Sequence, residues 1–338
     1  MSMVVEKPGM LTTVQDAGRF GRRGIGVVTA GAVDPFAFRT ANALVANAPG
    51  AAVLEMTLTG AVLRFEQEAV VAFCGAEMDA HAEGGPPLPG WRPVLVRSGT
   101  VLRFGSARSG VRAYLAVAGG FAVPAVLGSR STYVPARFGG LAGRPLQAGD
   151  RLPVGPPPAL AAALHARLAA AAAPGAALSP APWALAREAR PPYAEHPAIR
   201  AVRGREAESF EARSLEAFFS APYRVTAQSD RMGCRLDGER LALISPLEMI
   251  SEAVTPGTIQ VPPDGQPIVL LADVQTTGGY PRIAQVAAVD LPLVAQARPG
   301  SRLRFTEITA PEAQALYILR ELAFRQLAAA VEARIKSL

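Results

Sequence analysis

Four short stretches of the chain hold most of the side chains able to do chemistry. In TTVQDAGRFG (12–21), Gln15, Asp16 and Arg19 stand among glycines, where an amide, a carboxylate, a guanidinium and bare main-chain donors converge. GSRSTY (128–133) sets Arg130 among the hydroxyls of Ser129, Ser131 and Thr132, and SDRMGCRL (229–236) sets Arg231 beside Ser229 and Asp230. An arginine next to small hydroxyl donors suits a carboxylate or a phosphate. The fourth stretch is ADVQTTGGYPRIAQV (272–286), together with TPGTIQVPPDGQP (255–267). Here Gln260, Asp273 and Gln275 flank Thr276, Thr277, Gly278, Gly279 and Tyr280, and two adjacent glycines let backbone approach another group closely. Each stretch also has a purely structural reading. Asp16 can accept backbone hydrogen bonds in its own loop, and Asp230–Arg231 can be a surface turn. The last stretch can be a turn and nothing more. Asp34 has a sufficient role as a helix N-cap, although the same helix start offers amides to an anion.

Several chemistries are excluded by what is missing. No GxxxxGK[ST] phosphate loop occurs, and GRFGRRGIGVVTAG (18–31) lacks the preceding strand and immediate helix of a dinucleotide fingerprint. The histidines are His81, His165 and His196, too dispersed for a metal cluster or a histidine-based triad. Cys74 and Cys234 form neither a disulfide framework nor a metal ladder. No metal site is expected. No Met-Lys-Met biotinylation site occurs. The formal charge of +6 comes from dispersed arginines, with lysine only at Lys7 and Lys336. That dispersion argues against a nucleic-acid groove and for small anionic ligands. The N-terminal residues lack the apolar core of a signal peptide, and no run of about 20 apolar residues offers a membrane span. A cytoplasmic protein without membrane contact is expected.

The elements that must position these residues are mostly strands. Half of the 338 residues are hydrophobic, and abundant Gly and Pro favour many short elements. The length predicts two domains. One helix is predicted over 34–47, with Asp34 as N-cap, Pro35 at its first position and Asn42 mid-helix, where it should bond something specific. Strands are predicted at 69–74, 93–97, 100–104, 111–117, 223–228, 241–244, 258–261, 267–272 and 283–289. A helix opened by a Thr309/Glu312 capping box ends the chain, with Leu316, Leu319, Ala323 and Leu327 along one face. The organisation expected is a β-rich half at 1–155, a Pro/Ala-rich linker carrying one helix at 156–197, and a second half at 198–338. SGTVLRF (98–104) is echoed by PGSRLRF (299–305), as in a duplicated unit.

Taken in order, KPGMLTTVQDAGRFG, GAVDPFAFRTANALVAN, LEMTLTGAVLRF, YLAVAGGF, LGSRSTY, SDRMGCRL, GTIQVPPDGQPIVLLAD and QTTGGYPRIAQV resemble the allophanate hydrolase subunit 2 family, also called the biotin-dependent carboxyltransferase family. That family takes in the C subunit of 5-oxoprolinase, KipA-type proteins and half of the carboxyltransferase domain of urea amidolyase. The resemblance implies an α+β, β-rich fold of two cyclophilin-like β-barrel halves facing a shared cleft. It implies the C subunit of an ATP-dependent 5-oxoprolinase, an enzyme component acting with the A and B subunits to open 5-oxo-L-proline to L-glutamate through lactam phosphorylation. Its alternatives are carboxyl transfer from carboxybiotin on a separate carrier to urea or an amide, and a KipA-like regulator that binds a KipI-type kinase inhibitor. ATP with Mg is the implied cofactor. The implied partners are a subunit 1-type protein (the B subunit of 5-oxoprolinase, or a KipI-like protein) and the A subunit. On this reading Asp16, Asp273 and Arg231 are catalytic. Gln15, Arg19, Arg130, Ser131, Thr132, Ser229, Gln260, Gln275, Thr276, Thr277, Gly278, Gly279 and Tyr280 hold a small anionic or amide substrate. Three positions depart from the family pattern: Val33 for Met, Cys234 for an aromatic and Arg282 for Lys. The last removes an amine able to move a proton.

Overall fold

The computed structural model describes residues 2–337. Its chain divides into two compact units that do not follow the sequence in two simple halves. Among the described residues, the first comprises 2–19, 34–191 and 324–337, and the second 20–33 and 192–323.

The first unit is a nine-stranded, wholly antiparallel sheet of β1 (Ser2–Lys7), β2 (Leu11–Gln15), β3 (Val53–Thr57), β4 (Val62–Phe65), β5 (Ala69–Ala82), β6 (Pro93–Val96), β7 (Val101–Val117), β8 (Arg151–Pro153) and β9 (Leu178–Pro180). The main path runs β8-β1-β4-β7-β5-β6-β9, and β3 joins β2 to β7 off that path. The predicted strands 100–104 and 111–117 are one strand, β7, carried through a Gly-rich middle that also holds Arg108. Its first half alternates buried and exposed residues, while 111–117 is buried throughout. The change has a physical cause: helix α1 (Pro35–Leu44) covers the second face there. The N-cap is as predicted, with Asp34 Oδ1 accepting from Ala37 N at 3.0 Å. The Asp34 amide donates to the Tyr114 hydroxyl, which donates to Glu55, both at 2.8 Å. Asn42 donates to Ala51 O at 2.8 Å and accepts from Asn47 at 3.0 Å, which satisfies a polar side chain buried mid-helix.

The stretch read as a linker is packed into this unit. Helix α2 (Ala159–Ala170) buries Ala161, Leu164 and Leu168, and β9 pairs with β6. The composition is that of a linker, yet Ala161, Leu164 and Leu168 form one buried stripe while most of the other alanines stay exposed.

The second unit is a closed seven-stranded barrel in the order β10 (Ala198–Arg203), β17 (Arg282–Val286), β14 (Thr258–Gln260), β15 (Ile268–Leu270), β12 (Gly233–Asp237), β11 (Pro222–Val225) and β18 (Arg302–Glu307). Its one parallel pairing is β10 with β18. Outside the barrel is a two-stranded antiparallel ladder of two residues per strand, β13 (Glu252–Ala253) with β16 (Thr277–Gly278). Phe218 of helix α3 (Ala212–Ser220) stacks on Phe305 at 4.6 Å in a core that includes Ile199, Tyr223, Ile259, Val269 and Ile283. Val33 and Cys234 belong to this core, so two of the three departures are packing positions. The predicted strand at 241–244 does not form beyond one bridge from Leu243 to Phe210. A short helix, α4 (Leu291–Ala295), precedes β18.

The last helix, α5 (Ala310–Ser337), starts with the predicted box: Thr309 N donates to Glu312 Oε2 at 2.7 Å. Its buried residues are Phe324, Val331 and Ile335, while Leu319 is exposed and Ala323 with it. The helix is apolar on more than one side, so its sequence alone did not say which face would pack. The β-rich α+β class holds, and among the described residues no helix is long and apolar enough to cross a membrane.

Candidate functional site

In the first unit, the end of β2 and the 126–132 loop form one cluster centred on Asp16. Asp16 Oδ1 accepts from Gly18 N at 2.8 Å and from the hydroxyls of Ser129 and Ser131, each at 2.6 Å, while Oδ2 accepts from Arg130 N at 2.5 Å. Asp16 N donates back to Ser131 Oγ at 2.9 Å. This carboxylate is therefore an acceptor that ties two loops together. Both of its oxygens are engaged by internal donors, three on Oδ1 and one on Oδ2, an arrangement that serves the loops more than the proton transfer or metal contact expected of it.

Arg19 and Arg130 differ in kind. Arg19 is 1% exposed, donates to the carbonyls of Val126 and Ser131, and lies 4.7 Å over the Phe138 ring. The absence of a side chain at Gly139 makes room for it, since a Cβ there would fall 2.2 Å from Arg19 Nη2 and 2.0 Å from Ser131 O. Arg19 is thus a strut and not an anion contact, because water and ligand cannot reach it. Arg130 is exposed and uses only Nε, toward Val123 O at 2.9 Å. Thr132 bonds Val14 O at 2.9 Å. Gln15 is fully buried; its Nε2 donates to Thr13 and Thr132, and its Oε1 has no hydrogen-bond partner.

In the second unit, Arg231 and Asp273 meet each other. Arg231 Nε and Nη2 donate to Asp273 Oδ2 and Oδ1, both at 2.9 Å, and Nη2 also donates to Gly31 O at 2.7 Å. Their side chains are 7% and 4% exposed. A buried fork of this kind neutralises both groups, so the two residues assigned to catalysis act as a brace. Ser229 closes a turn with Arg235, its Oγ accepting from Arg235 N at 3.0 Å.

The 276–280 strip is different, because much of it faces solvent. Gln275, Thr277 and Tyr280 are exposed, and Thr276, Gly278 and Gly279 are half-buried. The space opened by Gly278 is already filled by a side chain of this chain: a Cβ there would lie 2.7 Å from Gln260 Nε2, which donates to Tyr280 O at 3.2 Å. Gly279 would admit a Cβ no closer than 3.4 Å to the Ser251 hydroxyl. The first glycine therefore serves packing, and the hydroxyls and main chain after it are what a ligand would meet.

Arg282 departs from the expected lysine and sits in an ion-pair network. It donates to Glu206 Oε2 at 2.7 Å and Oε1 at 2.6 Å, and to Glu252 Oε2 at 2.7 Å, where Arg205 also binds at 2.9 Å. Hydrogen bonds from Arg282 hold the Glu206 carboxyl below its ordinary range, and the Arg282 guanidinium is held more firmly protonated in return. Sequence reasoning missed Glu206, Glu252 and Arg23, which bind the strip's neighbourhood but carry no motif of their own.

A groove of about 980 Å³ on the second unit runs along Arg224, Thr226, Gln228, Arg235 and Gln266, and none of the predicted site residues lines it. Among the described residues no group of three or more His, Cys, Asp and Glu could hold a metal ion.

Known proteins place the chain firmly. It is 37% identical over 315 residues to the C subunit of 5-oxoprolinase from Haemophilus influenzae, covering 93% of this chain and 94% of that one. It is 38% identical over 322 residues to the corresponding 5-oxoprolinase C subunit of Escherichia coli, covering 95% and 96%. The crystal structure of the K. lactis urea amidolyase matches with a TM-score of 0.85 at 29% identity over 95% of this chain, which spans only 20% of that much longer one. Residues 25–307 match the model of the carboxyltransferase domain, subdomain A and B. The chain is a member of that carboxyltransferase-domain family.

Proposed function

We propose that this chain is the C subunit of a 5-oxoprolinase, which with the A and B subunits converts 5-oxo-L-proline to L-glutamate at the expense of ATP. The observation that carries this reading is similarity along nearly the whole of both chains to two bacterial proteins of that name. The residues of this chain do not fit ATP with Mg as its own cofactor. Asp16 and Asp273, the carboxylates best placed by sequence, are engaged on both oxygens by internal donors and are buried. ATP would be held by another subunit of the assembled enzyme.

What this chain supplies is recognition. The Thr277 hydroxyl, the Tyr280 hydroxyl and the main chain at Gly278 and Gly279 are donors suited to a lactam or other amide oxygen. On the first unit, Arg130 is the exposed guanidinium suited to a carboxylate. Asp16 and Arg231–Asp273 hold those elements in place. The large apolar side chains of Phe20, Ile25, Ile244 and Ile250, between 68% and 89% exposed on the second unit, are offered to a partner of the B type. The test is co-expression with the A and B subunits and assay of 5-oxoproline-dependent ATP hydrolysis and glutamate release. Activity that is unchanged when this chain is left out would remove the proposal.

A second reading is carboxyl transfer from carboxybiotin to urea or an amide. The fold match to a urea amidolyase favours it, and the same hydroxyl and amide donors suit a ureido oxygen. Co-purification of a biotinylated carrier, with no response to 5-oxoproline, would select it.

A further inference from the structure

The β13–β16 ladder that carries Thr277 and Gly278 is too small to stand alone. It has two residues per strand, lies outside the barrel and joins segments separated in sequence by β14 and β15, and even an isolated two-stranded hairpin is marginal in water. Its own closing bond, Val254 N to Thr276 O, is long at 3.3 Å. Something else must hold the strip.

Arg23 does so from a distant part of the sequence. Its Nη2 faces three main-chain carbonyls, donating to Val254 O, to Gln275 O at 3.2 Å and to Thr276 O at 3.1 Å. The first lies immediately after β13 and the other two immediately before β16, so one guanidinium group clamps both strands of the ladder. The side chain is partly withdrawn from water, and that burial lowers its pKa. The segment that carries Arg23 is itself anchored at its other end, where Gly31 O accepts from Arg231.

We propose that Arg23 is a positioning residue that fixes the Thr276–Tyr280 strip for substrate. The role in catalysis rests on the reading that this strip meets the substrate; the anchoring itself does not. All three bonds leave one nitrogen, Nη2, whose two hydrogens are shared among the carbonyls, and a lysine keeps the charge but places its ammonium at a different reach and angle. Three shared, charge-assisted hydrogen bonds are lost when the guanidinium is removed.

The test uses the full-length Arg23→Ala and Arg23→Lys chains, by hydrogen exchange and by kinetics in the reconstituted enzyme. Amide exchange at Val254 and at 275–280 is expected to speed up about tenfold or more in Arg23→Ala, while Ile259 and Val269 in the barrel and the thermal midpoint stay as in the wild type. Arg23→Lys should recover only part of the protection. Reconstituted with the A and B subunits, Arg23→Ala should lose about tenfold or more in kcat/KM for 5-oxoproline at unchanged stability. Unaltered exchange at 275–280 in Arg23→Ala overturns the anchor. Faster exchange with unaltered kcat/KM leaves the anchor in place and overturns the strip's part in the reaction.

Discussion

Arg231 and Asp273 form a two-pronged ion pair, both bonds at 2.9 Å, with both side chains almost wholly removed from water. The pair also takes in Gly31 O. Arg231→Ala leaves a buried carboxylate without its partner, and the expected loss is about 3–5 kcal/mol. Replacing both residues with apolar ones of similar size should cost less than either single change. Urea unfolding of the three variants checks this. A loss of under about 1 kcal/mol for Arg231→Ala, together with lost activity, would return Arg231 to the role of ligand contact.

Gly278 and Gln260 are a matched pair. Gly278→Ala puts a methyl 2.7 Å from the Gln260 amide, and overpacking of this kind costs about 1–3 kcal/mol. Shortening the neighbour in Gly278→Ala/Gln260→Ser should recover much of the loss. A double-mutant cycle on thermal stability measures the coupling; purely additive effects would show that the glycine is free for another purpose.

Arg19 and Arg130 lie in one cluster and should respond oppositely. Arg19→Ala removes a buried strut and is expected to cost about 3 kcal/mol or more, with activity falling only as the fold is lost. Arg130→Ala removes an exposed guanidinium, so stability should change by under about 0.5 kcal/mol. Its effect should appear as weaker binding of anionic substrate, on the order of tenfold or more. Calorimetry alongside steady-state kinetics separates the two.

Stability on the acid side should depend on Glu206. In the folded chain Arg282 holds its carboxyl below the ordinary value of 4.5, to which unfolding restores it. The contribution is therefore complete above that value and is lost as the pH falls through the lower, folded one. Glu206→Gln should lose stability at neutral pH and flatten the decline below about pH 4.5. Thermal midpoints measured across that range check it, and a decline as steep as in the wild type would exclude the link. Arg282→Lys keeps the charge but not the fork, so it should lower the midpoint without adding a new basic limb to the activity profile.

Much of the architecture was readable because it depends on local chemistry. Asp34 with Pro35, and Thr309 with Glu312, announce helix starts whose bonds form between residues three apart. Alternating and continuous apolar runs announced β5, β6, β7, β11, β14, β15 and β17, while the other strands, many of them short, went unmarked. What misled were segments whose composition fits two environments. The Ala-rich run at 159–173 read as a linker but buries Ala161, Leu164 and Leu168, and LALI at 241–244 read as a strand although Ile244 ends exposed. In α5, Leu319 and Ala323 looked like the buried face, whereas Phe324, Val331 and Ile335 pack, because apolar residues on more than one side of the helix do not mark which side faces inward.

The sequence by itself determined the family, the β-rich class and which short motifs gather polar residues. Only the tertiary structure decided what those residues do. It saturated Asp16 with four donors, closed Arg231 on Asp273, sealed Arg19 beneath a loop and left Arg130 and the 276–280 strip open to solvent. The reason is that a charged side chain acts through whichever partners reach it and through how much water remains. Both are set by residues such as Gly31, Gly139 and Arg23 that lie far away along the chain or carry no motif.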